Sequence, residues 1–204
     1  MNRIRIAQLS VNLLLWNCMI VLLASCHGPR CDGPRVSYGA ARPIPIMSCG
    51  RADESHLVRF LLQTHPNANA NEVSRIAQAY IREAGAEGVN HDVAFCQMCI
   101  ETNYLRFGGD VQRWQNNFCG LGATGGGVPG ASFTTVEMGV RAHIQHLKAY
   151  ASAQPLRHPL VDPRFGRVRR GIAPNVADLT GKWATDPQYG TKIRRKLQSL
   201  ARRL

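Results

Sequence analysis

Acidic residues are scarce in this sequence. Its 204 residues include 13 Asp and Glu against 25 Lys and Arg, which gives a formal net charge of +12. A chain this basic implies an anionic partner or surface, such as nucleic acid, acidic lipid headgroups or an anionic wall polymer. Charge alone does not choose among these three classes.

Long apolar runs are missing as well. The main apolar stretch, residues 13–23, contains Asn17 and is shorter than the ~20 residues that a comfortable membrane span needs. No internal repeat is visible, and no segment is convincing as a β-strand. The composition, with 45% hydrophobic and 19% charged residues, is that of a globular protein and not of a disordered one.

The N-terminus has the layout of an export signal. Arg3 and Arg5 precede the apolar stretch, and the small residues that follow it end at Cys26. This layout resembles the bacterial lipoprotein signal, whose cysteine is acylated and becomes the first residue of the mature chain. We therefore predict a signal peptide over residues 1–25 and a lipid anchor on Cys26, with a plain secretory signal as the alternative.

Export helps to choose the anionic partner. Removal of residues 1–25 takes away two arginines and no acidic residue, so the exported part stays strongly basic. Export disfavours nucleic acid as a partner and favours envelope polymers. We expect a monomer that is anchored to the membrane of the bacterial cell envelope, in the periplasm or at the outer membrane.

The seven cysteines cannot all be paired within the mature chain. Cys18 would leave with the signal and Cys26 would carry lipid, so five remain, and five is an odd number. These five are Cys31, Cys49, Cys96, Cys99 and Cys119. The last three could hold zinc, but no fourth ligand has telling spacing. We expect buried free thiols instead, and neither a metal nor another cofactor.

The chain divides into three parts. Residues 26–50 are rich in Pro, Gly and Arg without apolar periodicity, which predicts a linker after the signal peptide. Residues 51–204 form one domain with helical periodicity. Its predicted helices run from Asp53 to before Pro66, from Asn69 or Asn71 to Gly85 or Gly88, from His91 to about Leu105, from a Thr134–Glu137 capping box to about Ala153, near Val176–Leu179, and from Asp186 onward.

The third of these helices differs in kind from the others. Its apolar residues point in every direction, which is typical of a helix that is buried on all sides. It would be the central rod of the domain. Residues 106–133, which follow it, are irregular and rich in glycine, and a stretch of that length predicts a functional loop or a small β-hairpin.

Glu101 lies at the end of the buried helix and faces the glycine-rich stretch. An apolar setting disfavours the charged carboxylate and raises its pKa, which a general acid working near neutral pH requires. Gln97 lies one helical turn earlier on the same side. In the alternative interpretation, Glu101 only bonds a loop amide or pairs with the nearby Arg106.

Three segments resemble the glucosaminidase-domain family of peptidoglycan hydrolases. VAFCQMCIETNY, residues 93–104, resembles the central helix of that family, which reads roughly A-Q-A-x-L-E-T/S-G-W/Y. NFCGL, residues 117–121, resembles the family segment N-L-F-G-I, with Cys119 where Phe is usual. WATDPQY, residues 183–189, resembles the signature Y-A-T-D-P-x-Y. The resemblance implies a mainly α, lysozyme-like fold.

The resemblance also implies roles for individual residues. Glu101 matches the catalytic acid of the family and would protonate the leaving oxygen. Tyr189 matches a tyrosine near the catalytic centre and would orient the acetamido group or a water, unless it is only a core residue of the last helix. Gln97 matches a position that we assign to substrate binding.

The remaining substrate-binding candidates would form the groove. Asn117, Phe118 and Gly120 would shape its floor, because glycine lets a flat sugar approach the backbone closely. Trp183 could stack on a sugar face, as could Trp114, although either ring could equally belong to the core.

The sequence departs from the family at the second acidic residue. Residues 121–136 contain no Asp or Glu, whereas many members place an acidic residue in a small β-rich lobe there. Two-carboxylate hydrolysis needs a partner acid roughly 5–9.5 Å away, and the alternative is assistance by the substrate's own N-acetyl group. Four acids are candidates: Asp110, Glu137, Asp162 and Asp186.

His143 and His146 lie three residues apart on the fourth long helix. A metal pair is conceivable, but we expect both on the solvent or groove side of an amphipathic helix.

The leading hypothesis is an N-acetylglucosaminidase that acts on peptidoglycan glycan strands. A lytic transglycosylase or muramidase on the same fold is the second enzyme hypothesis, since that chemistry also needs one glutamate at a helix end. A non-catalytic glycan-binding lipoprotein is the third, and the missing second acid favours it.

Overall fold

A computed structural model describes residues 33–39 and 42–204. The predicted signal peptide, the predicted lipid anchor on Cys26 and the state of Cys31 fall outside these residues. Five α-helices carry the described part, and short 3-10 turns connect some of them. The helices are α1 Glu54–Thr64, α2 Ala70–Glu87, α3 His91–Glu101, α4 Val136–Ala151 and α5 Tyr189–Ala201. The 3-10 turns are Arg113–Gln115, Phe165–Arg167 and Val176–Leu179.

The helix starts follow from side chains that accept amide hydrogen bonds. Asp53 and Asn69 cap α1 and α2 as the sequence predicts. The cap of α4 is Thr135, one residue later than predicted, and its hydroxyl accepts a hydrogen bond from the amide of Met138. Helix α5 begins at Tyr189, three residues later than the predicted cap Asp186. The Asp186 carboxylate accepts from the Gln188 amide and pairs with Lys192.

Helix α3 is the centre of the fold, as its all-round apolar character predicts. Every residue from His91 to Cys99 is buried, and the other four helices pack against it. It ends at Glu101, earlier than the predicted Leu105. The Thr102 hydroxyl donates to the carbonyl of Met98 at 2.8 Å and accepts from the amide of Leu105 at 2.9 Å, which folds the chain into a turn.

The predicted linker is wrong for its second half. Ile44 and Ile46 are fully buried, and Tyr38 is 2% exposed, so this segment belongs to the core of the helical domain. Irregular backbone hydrogen bonds hold it in place, including one from the amide of Val176 to the carbonyl of Ile44 at 2.9 Å. Since no regular periodicity accompanies burial of this kind, the sequence pattern did not reveal it.

The cysteines divide into two groups. Cys49 is disulfide-bonded. Cys96, Cys99 and Cys119 are buried free thiols, as expected. Burial raises the pKa of all three thiols, so at neutral pH they are protonated and poor nucleophiles.

The glycine-rich stretch is a loop. Residues 106–133, all of which the structure describes, contain no β-strand. Two backbone hydrogen bonds close the loop, from Ala131 to Leu121 at 2.7 Å and from Phe133 to Gln115 at 2.8 Å. The predicted alternative of a β-hairpin in this stretch is therefore wrong.

No helix in the described ranges combines the length and the apolar character needed to cross a membrane.

The loop is locked to α4 by a close backbone contact at Gly139. A Cβ atom at this position would lie 1.8 Å from the carbonyl oxygen of Asn116. We expect Gly139→Ala to lower the free energy of unfolding by about 1–3 kcal/mol, because the loop backbone must move to admit the methyl group. Thermal unfolding measures this change.

Gly166→Ala is the matched control, because a Cβ atom at Gly166 meets no heavy atom within 4 Å. The control should unfold at the temperature of the unaltered chain. Equal melting temperatures for the two variants would contradict the close contact at Gly139.

Candidate active site

Glu101 lies in the wall of a cleft of about 350 Å³. It is the last residue of α3, and the turn that follows carries the chain away, so its side chain is exposed to the cleft. The rest of the lining comes mainly from the glycine-rich loop and from Trp183, which precedes α5. The cleft size is within the usual range for small-molecule sites, roughly 300–1,000 Å³.

Two hydrogen bonds hold one oxygen of the Glu101 carboxyl group. The Trp183 indole donates to Oε1 at 3.1 Å, and the Tyr189 hydroxyl donates to the same atom. In the part of the chain that the structure describes, Oε2 has no protein partner. Arg106 donates to the carbonyls of Asn103 and Thr64, so it does not form the ion pair that would make Glu101 merely structural.

The pKa of Glu101 is raised above its ordinary value of 4.5. The cause is burial of the carboxyl group: the side chain reaches the cleft, but protein surrounds it closely enough to disfavour the charged form. The hydrogen bonds from Tyr189 and Trp183 lower the pKa and offset part of the effect of burial. The net direction is the one that a general acid needs.

Gln97 supports the site from beneath and does not contact substrate. Its side chain is fully buried, and its amide nitrogen donates to the Tyr189 hydroxyl at 2.9 Å. Its amide oxygen is 3.1 Å from Nε2 of His143. The sequence-based assignment of Gln97 to substrate binding is therefore wrong, because no part of the side chain is accessible from the cleft.

His143 belongs to the core, contrary to expectation. It is fully buried, and its Nδ1 atom lies 2.7 Å from the hydroxyl of Tyr80. Burial, with a smaller contribution from His146, lowers the pKa of His143 to about 3, so the ring is neutral at physiological pH. Its partners, Tyr80 and Gln97, were not predicted to interact with it.

His146 is buried as well. Its Nδ1 atom lies 2.8 Å from the carboxylate of Asp162. Its ring, together with those of His143 and Tyr150, surrounds Trp183 at centroid distances of 5.1–5.8 Å. These contacts fix the indole that donates to Glu101. Trp183 is half-buried and lines the cleft, so it serves both as a packed residue and as part of the cleft wall.

The groove candidates differ in their exposure. Gly120 lines the cleft with a left-handed φ of 69°, a backbone conformation that favours glycine. Asn117 also lines the cleft, but its amide bonds the loop backbone at Leu121 and Ala131. Phe118 is 3% exposed and packs against Tyr80, so it supports the cleft from within.

Trp114 is neither a core residue nor a part of this cleft. Its side chain is 72% exposed, and it is absent from the lining of the cleft that contains Glu101.

Only one of the four candidate second acids shares the cleft with Glu101. Asp110 lines it and accepts a hydrogen bond from the amide of Gly127 at 3.1 Å. The other three acids face other partners: Asp162 pairs with His146, Asp186 pairs with Lys192, and Glu137 lies near Arg75. Sequence position alone did not separate Asp110 from the other three.

No metal centre accompanies this site. Within residues 33–39 and 42–204, no group of three or more His, Cys, Asp or Glu side chains is arranged to hold a metal ion.

A helical domain that presents one carboxyl group of raised pKa at a cleft has the site expected of a glycoside hydrolase. The family model described as mannosyl-glycoprotein endo-beta-N-acetylglucosaminidase matches residues 77–202. The chain belongs to this glucosaminidase family, and the mainly helical structure agrees with its lysozyme-like domain. Membership indicates a glycoside hydrolase that acts on peptidoglycan glycan.

A protein of Borreliella burgdorferi, described as an uncharacterized protein, is 45% identical over 155 residues. The match covers 76% of each chain. No solved structure matches with significant similarity.

The raised pKa of Glu101 predicts a pH-dependent cost in stability. The folded chain holds this proton more tightly than the unfolded chain, so stability falls as pH rises from 4.5 through the raised pKa. Glu101→Gln removes the ionisation but keeps an oxygen that can accept from Tyr189 and Trp183. We expect it to unfold at a higher temperature than the unaltered chain at pH 7, with the gain lost at pH 4.

Glu137→Gln provides a control of opposite sign. Hydrogen bonding to its own amide at the start of α4 lowers the pKa of Glu137, so its charged form stabilises the fold. This variant should unfold at a lower temperature at pH 7. A Glu101→Gln variant that is no more stable than the unaltered chain at pH 7 contradicts the raised pKa.

Proposed function

We propose that this chain hydrolyses the β-1,4 glycosidic bond that follows N-acetylglucosamine in peptidoglycan, with Glu101 as the general acid. The observation that carries the proposal is the arrangement of the Glu101 carboxyl group. Both protein donors reach Oε1, and burial favours the protonated form. The proton then lies on Oε2, the oxygen that is left for substrate.

The chemistry follows from this arrangement. The proton on Oε2 passes to the glycosidic oxygen as the bond between that oxygen and the anomeric carbon breaks. Positive charge develops on the sugar ring, and the oxygen of a water adds to the anomeric carbon. Asp110, which lines the same cleft, accepts the proton of this water. The Tyr189 and Trp183 hydrogen bonds stabilise the Glu101 carboxylate that remains.

Glu101→Gln tests the acid directly. General acid catalysis contributes about 100- to 10,000-fold to rate, so we expect at least a roughly 100-fold loss of wall hydrolysis. Activity is measured by clearing on gels that contain cell wall, and mass spectrometry of the digest identifies the new ends. Reducing N-acetylglucosamine ends support the proposal.

Glu137→Gln is the matched control and should clear the wall like the unaltered chain, because Glu137 lies outside the cleft. Equal clearing by Glu101→Gln removes Glu101 from catalysis. Reducing or anhydro-muramic ends indicate a muramidase or a lytic transglycosylase instead. A chain that binds wall but never clears it is a binding module.

Asp110→Asn tests the second carboxylate. We expect kcat to fall by about 100-fold, because the amide cannot take a proton from water. The rate is measured on a soluble chitooligosaccharide. An unchanged rate contradicts the role of Asp110 and indicates assistance by the substrate's own N-acetyl group.

Cleavage of peptidoglycan, the activity proposed here, requires an exported protein, and the N-terminal sequence supports a proposal of export. We propose that residues 1–25 are a signal peptide, that lipid on Cys26 anchors the chain to the bacterial cell envelope, and that it acts there as a monomer. Four basic side chains support retention near anionic envelope polymers, because they line a second cavity of about 570 Å³ beside α5. They are Lys192, Arg195, Lys196 and Arg203.

A further inference from the structure

A buried chain of hydrogen bonds leads from Glu101 into the core. It runs from Tyr189 to Gln97, from Gln97 to His143 and from His143 to Tyr80, with donor–acceptor distances of 2.9, 3.1 and 2.7 Å. The innermost three side chains are fully buried, and Tyr189 is 3% exposed. Each of the four side chains comes from a different helix, so the chain connects α5, α3, α4 and α2.

Every bond in the chain has the same direction, and the direction follows from counting hydrogens. The Tyr189 hydroxyl has one hydrogen and donates it to Glu101, so it must accept from its other partner. Gln97 therefore directs its NH₂ group to Tyr189 and its carbonyl oxygen to His143. That oxygen can only accept.

The same counting fixes the tautomer of the imidazole. His143 is neutral because burial lowers its pKa to about 3, so it carries a single N–H hydrogen. Since the carbonyl oxygen of Gln97 accepts from Nε2 of His143, the imidazole hydrogen lies on Nε2, and Nδ1 is a bare acceptor. Nδ1 lies 2.7 Å from the hydroxyl of Tyr80, which therefore donates to it. In the other tautomer, the hydroxyl hydrogen of this fully buried tyrosine would have no acceptor among the described residues.

We propose that Tyr80, His143 and Gln97 are positioning residues, whose aligned hydrogen bonds make the Tyr189 hydroxyl donate to Glu101 and thereby leave the Glu101 proton on the oxygen that has no protein partner. The proposal rests on the proposed function of Glu101 as general acid. Aligned hydrogen bonds polarise one another, so the direction set at Tyr80 is transmitted along the chain.

Loss of the Tyr80 hydroxyl permits the reverse direction. The His143 hydrogen can then move to Nδ1, and the Gln97 amide can turn over so that its NH₂ group donates to Nε2. Its carbonyl oxygen then faces Tyr189 and takes the hydroxyl hydrogen away from Glu101. In this reversed state, Glu101 loses a bond that lowers its pKa.

Few other titratable groups face this chain of hydrogen bonds. Cys119 lies near enough to raise the pKa of Tyr189, the donor to Glu101, and the pKa of Tyr80. Burial raises the pKa of the Cys119 thiol itself, so this thiol is protonated. His146 adjoins His143 and is paired with Asp162. Asp110 lines the same cleft as Glu101.

Tyr80→Phe is the sharpest test, because it removes one hydroxyl and keeps the ring contacts with Phe95 and Phe118. We expect kcat on a chitooligosaccharide to fall about 3- to 10-fold, the net effect of one ordinary hydrogen bond, with KM unchanged. The alkaline limb of the pH profile should move to higher pH, because Glu101 stays protonated longer.

Tyr38→Phe is the matched control. It also removes a buried hydroxyl, which donates to Asp92 at 2.6 Å, but at the opposite end of α3, about 13 Å from Glu101 by helix length. This variant should lose a similar amount of thermal stability and keep both kcat and the pH profile. If Tyr80→Phe behaves like Tyr38→Phe, the hydroxyl of Tyr80 is merely structural and the proposal is overturned.

Two substitutions of His143 add a test by rescue. Glutamine can present its NH₂ group to Gln97 in place of the imidazole Nε2, whereas leucine cannot donate. We expect His143→Gln to keep the alkaline limb of the unaltered chain and His143→Leu to shift it to higher pH. Equal limbs for the two variants contradict a role in hydrogen-bond direction.

Nitrogen NMR of the His143 ring tests the direction without any catalysis. The unaltered chain should show a protonated Nε2 and a bare Nδ1, and Tyr80→Phe should populate the other tautomer. A ring with the hydrogen on Nδ1 in the unaltered chain overturns this proposal and leaves the function of Glu101 intact. Full activity of Glu101→Gln, by contrast, contradicts the proposed function of Glu101, whatever the NMR result.

Discussion

The whole fold depends on one helix, α3, which has no polar face that could lie against solvent. Because α3 is apolar on all sides, four other helices must cover it, and its last residue, Glu101, lies in the wall of a cleft. A carboxyl group at the end of a buried helix has a fixed position and a poorly solvated setting at once. The same covering helices bring Tyr189 and Trp183 to one of its oxygens.

Covering α3 also forces polar groups into the core, where each needs a partner. Among the described residues, no buried side-chain nitrogen or oxygen lacks a hydrogen bond. Near Glu101 this requirement is met by Gln97, His143 and Tyr80, whose side chains are linked by hydrogen bonds in one unbranched chain. The same hydrogen bonds thus give the buried polar groups their partners and orient the Tyr189 hydroxyl at the cleft.

Local patterns in the sequence were enough for the helices, for the burial of α3 and for the position of Glu101 at the end of that helix, since capping residues and periodicity are local signals. The catalytic roles of Glu101 and Tyr189 came from the family resemblance and stay predictions. Local patterns did not reveal the roles of Gln97 and His143. Gln97 bonds a residue 92 positions away, and a polar side chain in an amphipathic pattern is indistinguishable from a surface residue until its partner is known. The burial of Ile44 and Ile46 was not predicted for a related reason: an irregular segment can be buried without any periodic pattern of apolar residues in its sequence.

Cys119 gives the cleft an unusual wall. It lines both the cleft of Glu101 and an adjoining one of about 180 Å³, at a position where the family usually has phenylalanine. A thiol is much smaller than a benzyl group, so the two hollows are separated by little side-chain volume here. A larger side chain at position 119 would therefore separate the two hollows, while the hydrogen bonds of Glu101 to Trp183 and Tyr189 would stay in place.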